Sequence, residues 1–128
     1  MKSVTILLVE DVSGDRLLVK EALKACGIPV AITEVEDGEK ALSFLTKEES
    51  KPDLIILDLN LPKVSGIALL EQYHPKDRPP IVVFSSTWSQ IDSKRALALG
   101  AREVVHKSMD MKVFRAAVCG MVRRWALE

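Results

Sequence analysis

KPDLIILDLNLPKVSG, residues 51–66, poses the question on which the fold turns. From Asp53 to Asp58 the chain runs one acidic residue, four aliphatics and a second acidic residue. An unbroken aliphatic run of this length fits a strand covered on both faces, as in parallel sheets. It does not explain why Asp58 ends the run, ahead of Asn60, Pro62 and Gly66. Asp58 is either a solvated strand terminus or a reactive carboxylate.

Outward from this strand, short β-rich runs alternate with helical patterns. Strands are predicted at Val4–Val9, Val30–Val35, Leu54–Leu57, Ile81–Phe84 and Glu103–His106. A first helix falls within residues 13–27, with Leu18, Ala22 and Cys26 on one face, Ser13 or Asp15 as its cap and Gly27 as its stop. Asp37-Gly38 turns the chain into a second helix, about Glu39 to Lys47, with Ala41, Leu42 and Leu45 inward. Helices are also predicted from Ser65 to Tyr73 and from Ser89 to Leu99, the latter closed by Gly100. From Asp110 onward Phe114, Val118, Met121, Val122 and Trp125 form a helical stripe. Five strands alternating with five helices predict an α/β, doubly wound, five-stranded parallel sheet covered on both faces. At 128 residues the chain fits a single domain, 1–128.

Composition narrows the function. Eighteen basic and eighteen acidic residues cancel, so nothing suggests bulk attraction to nucleic acid or to anionic lipid. No apolar run approaches the ~20 residues of a membrane span. The opening MKSVTILLVEDV turns acidic after a few apolar residues and reads as a strand, not a signal peptide. Cys26 and Cys119 show no metal or redox spacing and sit in apolar helical patterns, so they read as buried free thiols of a cytoplasmic protein.

Parallel α/β sheets bind ligands beyond the carboxyl ends of their strands. The first strand ends in Glu10-Asp11, the third in Asp58, the fourth in Ser85-Ser86 and the fifth near Lys107. Carboxylates gathered at one rim repel one another, and a bound cation removes that cost. All the ligands are oxygen, so the ion is hard: magnesium, manganese or calcium. Lys107 can neutralise a phosphate oxygen and Ser85 can donate a hydrogen bond to another. A remaining carboxylate can then act as the nucleophile that accepts phosphate.

LLVED at the first strand, DLIILDLNLP at the third, PPIVVFSS at the fourth and VVHKS after the fifth resemble the receiver domain of two-component response regulators. The resemblance covers essentially the whole chain. It implies a flavodoxin-like sheet in strand order 2-1-3-4-5. It also implies that Asp58 is the phosphoacceptor and that Asp11 is a direct ligand of Mg2+. Glu10 would act on the metal mainly through water, and Asn60 would offer it a backbone carbonyl. Ser85 would be the switch hydroxyl, Lys107 the phosphate-binding lysine, and Ser86 the small residue that leaves room for phosphate. Thr87 and the Asn60 side chain would line the mouth of the site. VEDGEKALSFL, DLNLPK and Trp125 resemble the small regulators that work with bacterial phytochromes, which implies a histidine kinase of that type as partner.

The chain departs from the family in two places. Val104 stands three residues before the lysine, where the family has a rotating aromatic side chain. Ser108 replaces the proline that usually follows the lysine, which favours a trans peptide. His106 reads as a partner contact or a solvated ring. Two alternatives share the fold. A magnesium-dependent phosphatase normally needs an aspartate two residues after its nucleophile, and Asn60 is no acid. An FMN-binding flavodoxin-like protein needs a phosphate-cradling loop after the first strand, and EDVSGD is acidic there. The expectation is therefore a switch and not an enzyme, acting through protein contacts with no output domain. A homodimer is expected through the fourth helix, fifth strand and fifth helix, seeded by Leu97 and Val104, with Glu103, Lys94 and Arg115 pairing across the axis.

Overall fold

Leu54–Leu57 is a strand buried along its whole length in the computed structural model, which describes residues 3–47, 51–86 and 89–127. Its two flanking aspartates differ in role. Asp53 is exposed and accepts hydrogen bonds on Oδ2 from Thr5 N (2.8 Å) and Thr5 Oγ1 (3.1 Å), which pins the start of the strand to its neighbour. Asp58, at the other end, is 6% exposed.

The elements in order are β1 (Val4–Val9), α1 (Ser13–Ala25), β2 (Val30–Val35), α2 (Gly38–Leu45), β3 (Leu54–Leu57), α3 (Gly66–Gln72), β4 (Ile81–Ser85), α4 (Gln90–Ala98), β5 (Glu103–His106) and α5 (Met111–Trp125). The strands form one parallel sheet in the order β2-β1-β3-β4-β5, as expected. Alternation along the strands divides the interior in two. Ile6, Leu8, Leu54, Ile56, Val82 and Phe84 pack on one face against α1 and α5. Leu7, Val9, Ile55, Leu57, Ile81 and Val83 pack on the other against α2, α3 and α4.

Caps fix most helix starts: Asp37, Ser65, Ser89 and Asp110 each accept a backbone N–H of their own first turn. The first helix differs from expectation. Its N-cap is Val12, without a side-chain cap, because Ser13 already lies in the helix and Asp15 turns elsewhere. Its buried face is Val19, Ala22 and Leu23, while Leu18 is only partly buried. Gly27 ends the helix region at φ +72°, a conformation that costs glycine little. No peptide bond among the described residues is cis, so the Lys107–Ser108 bond is trans.

The expectation of two free thiols is corrected. Cys26, at the end of α1, and Cys119, on α5, form a disulfide with their Cα atoms 5.7 Å apart. The physical reason is the layering: α1 and α5 lie side by side on one face of the sheet, so residues 93 apart in sequence meet. Among the described residues no helix is long and apolar enough to cross a membrane.

Candidate functional site

The strand order brings the carboxyl ends of β1, β3, β4 and β5 next to one another. The residues just past those ends remain on the hydrogen-bond ladder. Glu10 N donates to Val35 O (3.0 Å), Asp58 N to Val9 O (3.0 Å) and Lys107 N to Ser85 O (2.9 Å). The side chains are therefore aimed by rigid backbone and not by loops. Behind Asp58, α3 begins against the backbone: a Cβ on Gly66 would stand 2.6 Å from Asp58 O and from Leu59 Cα. Only glycine allows that approach.

Asp58 is gripped on both oxygens. Oδ1 accepts from Asn60 N (3.0 Å) and Ser85 Oγ (3.3 Å), and Oδ2 accepts from Lys107 Nζ (3.2 Å). Lys107 also donates to Glu10 Oε1 and, at 2.9 Å, to Asp15 Oδ2. Glu10 Oε2 accepts from Val12 N (3.2 Å). Glu10, Asp58, Ser85 and Lys107 are all buried, and Asp11 is exposed at the mouth. Ser86 is exposed one residue beyond Ser85, and its carbonyl faces His106. Thr87 lies outside the described residues.

The electrostatics show an excess of negative charge. Burial pushes the Glu10 carboxyl up to about 7, against the opposing pull of Lys107. Burial alone would lower Lys107, but hydrogen bonds to Glu10 and Asp15 and the charge of Asp58 hold it well above its ordinary value. One ammonium thus serves three carboxylates, so the cluster carries more acidic than basic groups. Glu10, Asp11 and Asp58 each offer a carboxylate oxygen, and these oxygens lie within 4.8 Å of one another. An all-oxygen donor set with surplus negative charge fits a hard divalent cation.

Two participants were not legible in the sequence as site residues. Asp15, expected only as a cap, is a third acidic partner of Lys107. Arg16 donates through Nη1 to the carbonyls of Glu10 (2.9 Å) and Asp11 (3.1 Å), and its Nε pairs with Glu34 (3.2 Å). It braces the acidic turn from behind. A helix residue of either charge so near a strand end is the signal available in sequence, and it is a weak one.

Fold and rim together define a doubly wound α/β protein whose site can hold a cation and receive an anion. The chain belongs to the response regulator receiver domain family, whose model matches residues 6–119. It is 34% identical to response regulator Rcp1 of Synechocystis sp., over 94% of this chain and 87% of that protein. A crystal structure of the phosphorylated cyanobacterial phytochrome response regulator RcpA superposes with a TM-score of 0.89 at 32% identity, covering 97% of this chain and 94% of the other. The Mn2+-bound form of Rcp1 superposes with a TM-score of 0.83 at 34% identity, covering 95% and 94%. Other relatives are named as transcriptional regulators, and the chain spans about half of their length.

Proposed function

We propose that the chain is a phosphorylation-dependent switch, with Asp58 as the residue that accepts a phosphoryl group from a histidine kinase or phosphotransfer protein. The observation that carries this reading is the buried Asp58 carboxylate, held by Lys107, Ser85 and the Asn60 N–H beside Glu10 and Asp11. One Asp58 oxygen attacks phosphorus and forms the acyl phosphate. The P–N bond to the donor imidazole breaks, and the leaving nitrogen keeps the electron pair and takes up a proton. Lys107 and Ser85 move their hydrogen bonds onto phosphoryl oxygens and offset the charge that gathers there. A divalent cation held by Glu10, Asp11 and Asp58, read here as Mg2+, supplies further charge neutralisation when bound. The chain contributes no other chemistry: it is a binding module and not an enzyme. Incubation with acetyl phosphate and Mg2+ should yield one hydroxylamine-labile phosphoryl group per chain. A protein that takes up none from acetyl phosphate or from a cognate kinase would refute the reading.

Likeness to phytochrome response regulators supports a phytochrome-type kinase as donor, and donors that draw on ATP support a cytoplasmic setting.

Metal should stabilise the fold and change its pH dependence. A ligand that binds only the native state adds RT ln(1 + [L]/Kd), about 1.4 kcal/mol at ten times Kd. Mg2+ should raise the melting temperature of wild type and leave Asp11→Ala nearly unmoved. An equal rise in both would place the metal elsewhere. Glu10 has a folded value raised above its unfolded one. The native state therefore binds more protons between pH ~4.5 and ~7, and the metal-free protein loses stability as pH rises through that window, on the order of 3 kcal/mol. A cation in the proton's place should flatten that slope.

Output through the face of α4, β5 and α5 completes the reading. Leu97 on α4 and Val113 on α5 are 47% and 54% exposed, with Val104 partly buried on the α4 side of β5. Glu103, expected to pair across a two-fold axis, also accepts on Oε1 from Arg124 Nη2 (2.6 Å) and Trp125 Nε1 (2.8 Å) of its own chain. Lys94 and Arg115 are both cations, so a charge pairing across the axis would have to share the Glu103 carboxylate. Sedimentation should show wild type associating at tens of micromolar and Leu97→Glu monomeric. A wild type that stays monomeric with and without a phosphoryl mimic rules the dimer out.

A further inference from the structure

Lys107 is gripped by three carboxylates, and they are not equivalent. Its ammonium carries three donors. They reach Glu10 Oε1, Asp15 Oδ2 (2.9 Å) and Asp58 Oδ2 (3.2 Å). Glu10 and Asp58 belong, with Asp11, to the set of carboxylate oxygens that suits a cation. Asp58 also accepts from Asn60 N and Ser85 Oγ, and Glu10 from Val12 N. Asp15 lies outside the cation set, and it does not cap its helix, whose N-cap is Val12.

The three also differ in setting. The side chains of Glu10 and Asp58 are 3% and 7% exposed, and that of Asp15 is 30% exposed. Asp15 stands in the first turn of α1. The turn that leads into this helix is braced by Arg16, which donates to the carbonyls of Glu10 and Asp11. Asp15 is therefore presented by rigid backbone. Lys107 is fixed at its own backbone, where N donates to Ser85 O (2.9 Å). Its ammonium rides on a flexible four-carbon stem, so its acceptors decide where it stays.

Phosphoryl transfer changes the demands on those acceptors. When an Asp58 oxygen bonds to phosphorus, the charge of the carboxylate passes to the phosphoryl oxygens. A cation beside Glu10 and Asp58 competes with the ammonium for their oxygens, and like charges repel. Two of the three holds on Lys107 are thus contested, and the pair with Asp15 is the third. We propose that Asp15 is a positioning residue for phosphoryl transfer: it holds the Lys107 ammonium within reach of the phosphoryl group while a cation engages Glu10 and Asp58. The inference rests on Asp58 being the phosphoacceptor. One ammonium donor stays on Asp15 and leaves the others for phosphoryl oxygens. Asp15 acts through Lys107 and not on the phosphoryl group itself.

The test compares wild type, Asp15→Ala, Asp15→Asn and Asp58→Asn, each as the full chain. Alanine favours helix, so α1 should keep its start in Asp15→Ala, which melting temperatures check. The first readout is the 15N signal of the Lys107 ammonium, visible while acceptors hold its protons and slow their exchange with water. Wild type should show it with and without Mg2+. Asp15→Ala should show it without Mg2+, where Glu10 and Asp58 suffice, and lose it with Mg2+. The second readout is the affinity for beryllofluoride, a phosphoryl mimic, in Mg2+. It should weaken about three- to ten-fold in Asp15→Ala, a factor kept small by the water that reaches Asp15. Asp15→Asn keeps an acceptor oxygen at the same reach and should fall between alanine and wild type in both readouts. A residue that merely supported α1 would change the Lys107 signal alike with and without Mg2+. That result overturns the proposal. So does a signal that survives Mg2+ in Asp15→Ala, a wild type that lacks it in Mg2+, a mimic affinity unchanged or tightened in Asp15→Ala, or an Asp15→Asn no better than alanine. Wild type that binds the mimic no better than Asp58→Asn overturns the phosphoacceptor reading itself, and this inference with it.

Discussion

Asp58→Asn should carry no hydroxylamine-labile phosphoryl group after incubation with acetyl phosphate and Mg2+. The loss should be complete at the detection limit. An amide oxygen shares its electrons with nitrogen and is a poor nucleophile beside a carboxylate. Asparagine nonetheless keeps the size of Asp58, and its carbonyl oxygen can still accept from Asn60 N and Ser85 Oγ. Lys107 loses one partner and retains Glu10 and Asp15. The variant should therefore fold, so its failure cannot be put down to unfolding. Its affinity for Mg2+ should also fall, because three neighbouring carboxylates become two. Phosphate on a hydroxyl such as Ser85 would resist hydroxylamine. The same labile adduct in Asp58→Asn at the wild-type rate would remove Asp58 from its assigned role.

The second large effect concerns stability. Oxidised protein should unfold at a markedly higher temperature than the same protein treated with a thiol reductant. The link joins residues 93 apart, and a span near that length restricts the unfolded chain by roughly 4–5 kcal/mol in the entropy model. For a domain of this size that is on the order of 15 °C in melting temperature. A double Cys26→Ser, Cys119→Ser variant should match the reduced protein. Thiol titration before each melt establishes which form is present. Equal melting temperatures for protein shown to be oxidised and reduced would deny the link any stabilising role. Such links are rare in a reducing cytoplasm, and a cytoplasmic thiol pool would remove this contribution.

Sequence reasoning succeeded where a local pattern decides local structure. The aliphatic runs of β1, β3 and β4 have no other packing solution than a covered sheet. Position relative to those strands then places Glu10, Asp11, Asp58, Ser85 and Lys107 at one rim. It failed where the answer depends on which way a side chain turns within a helix. Asp15 lies one turn from the cap position and could as well have faced water, yet it reaches Lys107. Cys26 and Cys119 belong to helices that the strand order places on one face, but their meeting depends on helix rotation. The contacts of Glu103 with Arg124 and Trp125, a whole helix away, were likewise not visible in its own neighbourhood.

The disulfide has a topological meaning that its energy does not express. With the bond formed, the chain is a ring with two arms. Asp58, Ser85 and Lys107 lie within the ring, while Glu10 and Asp11 lie on the amino-terminal arm. That arm carries β1, an interior strand threaded between β2 and β3. Pulling the chain by its ends therefore cannot draw Asp58, Ser85 and Lys107 apart along the backbone, but it can draw Glu10 and Asp11 away from them. Lys107, bridging Glu10 and Asp58, is the clasp between arm and ring. A cation shared by Glu10, Asp11 and Asp58 would be a second clasp on the same seam, so that loading the site also fastens β1.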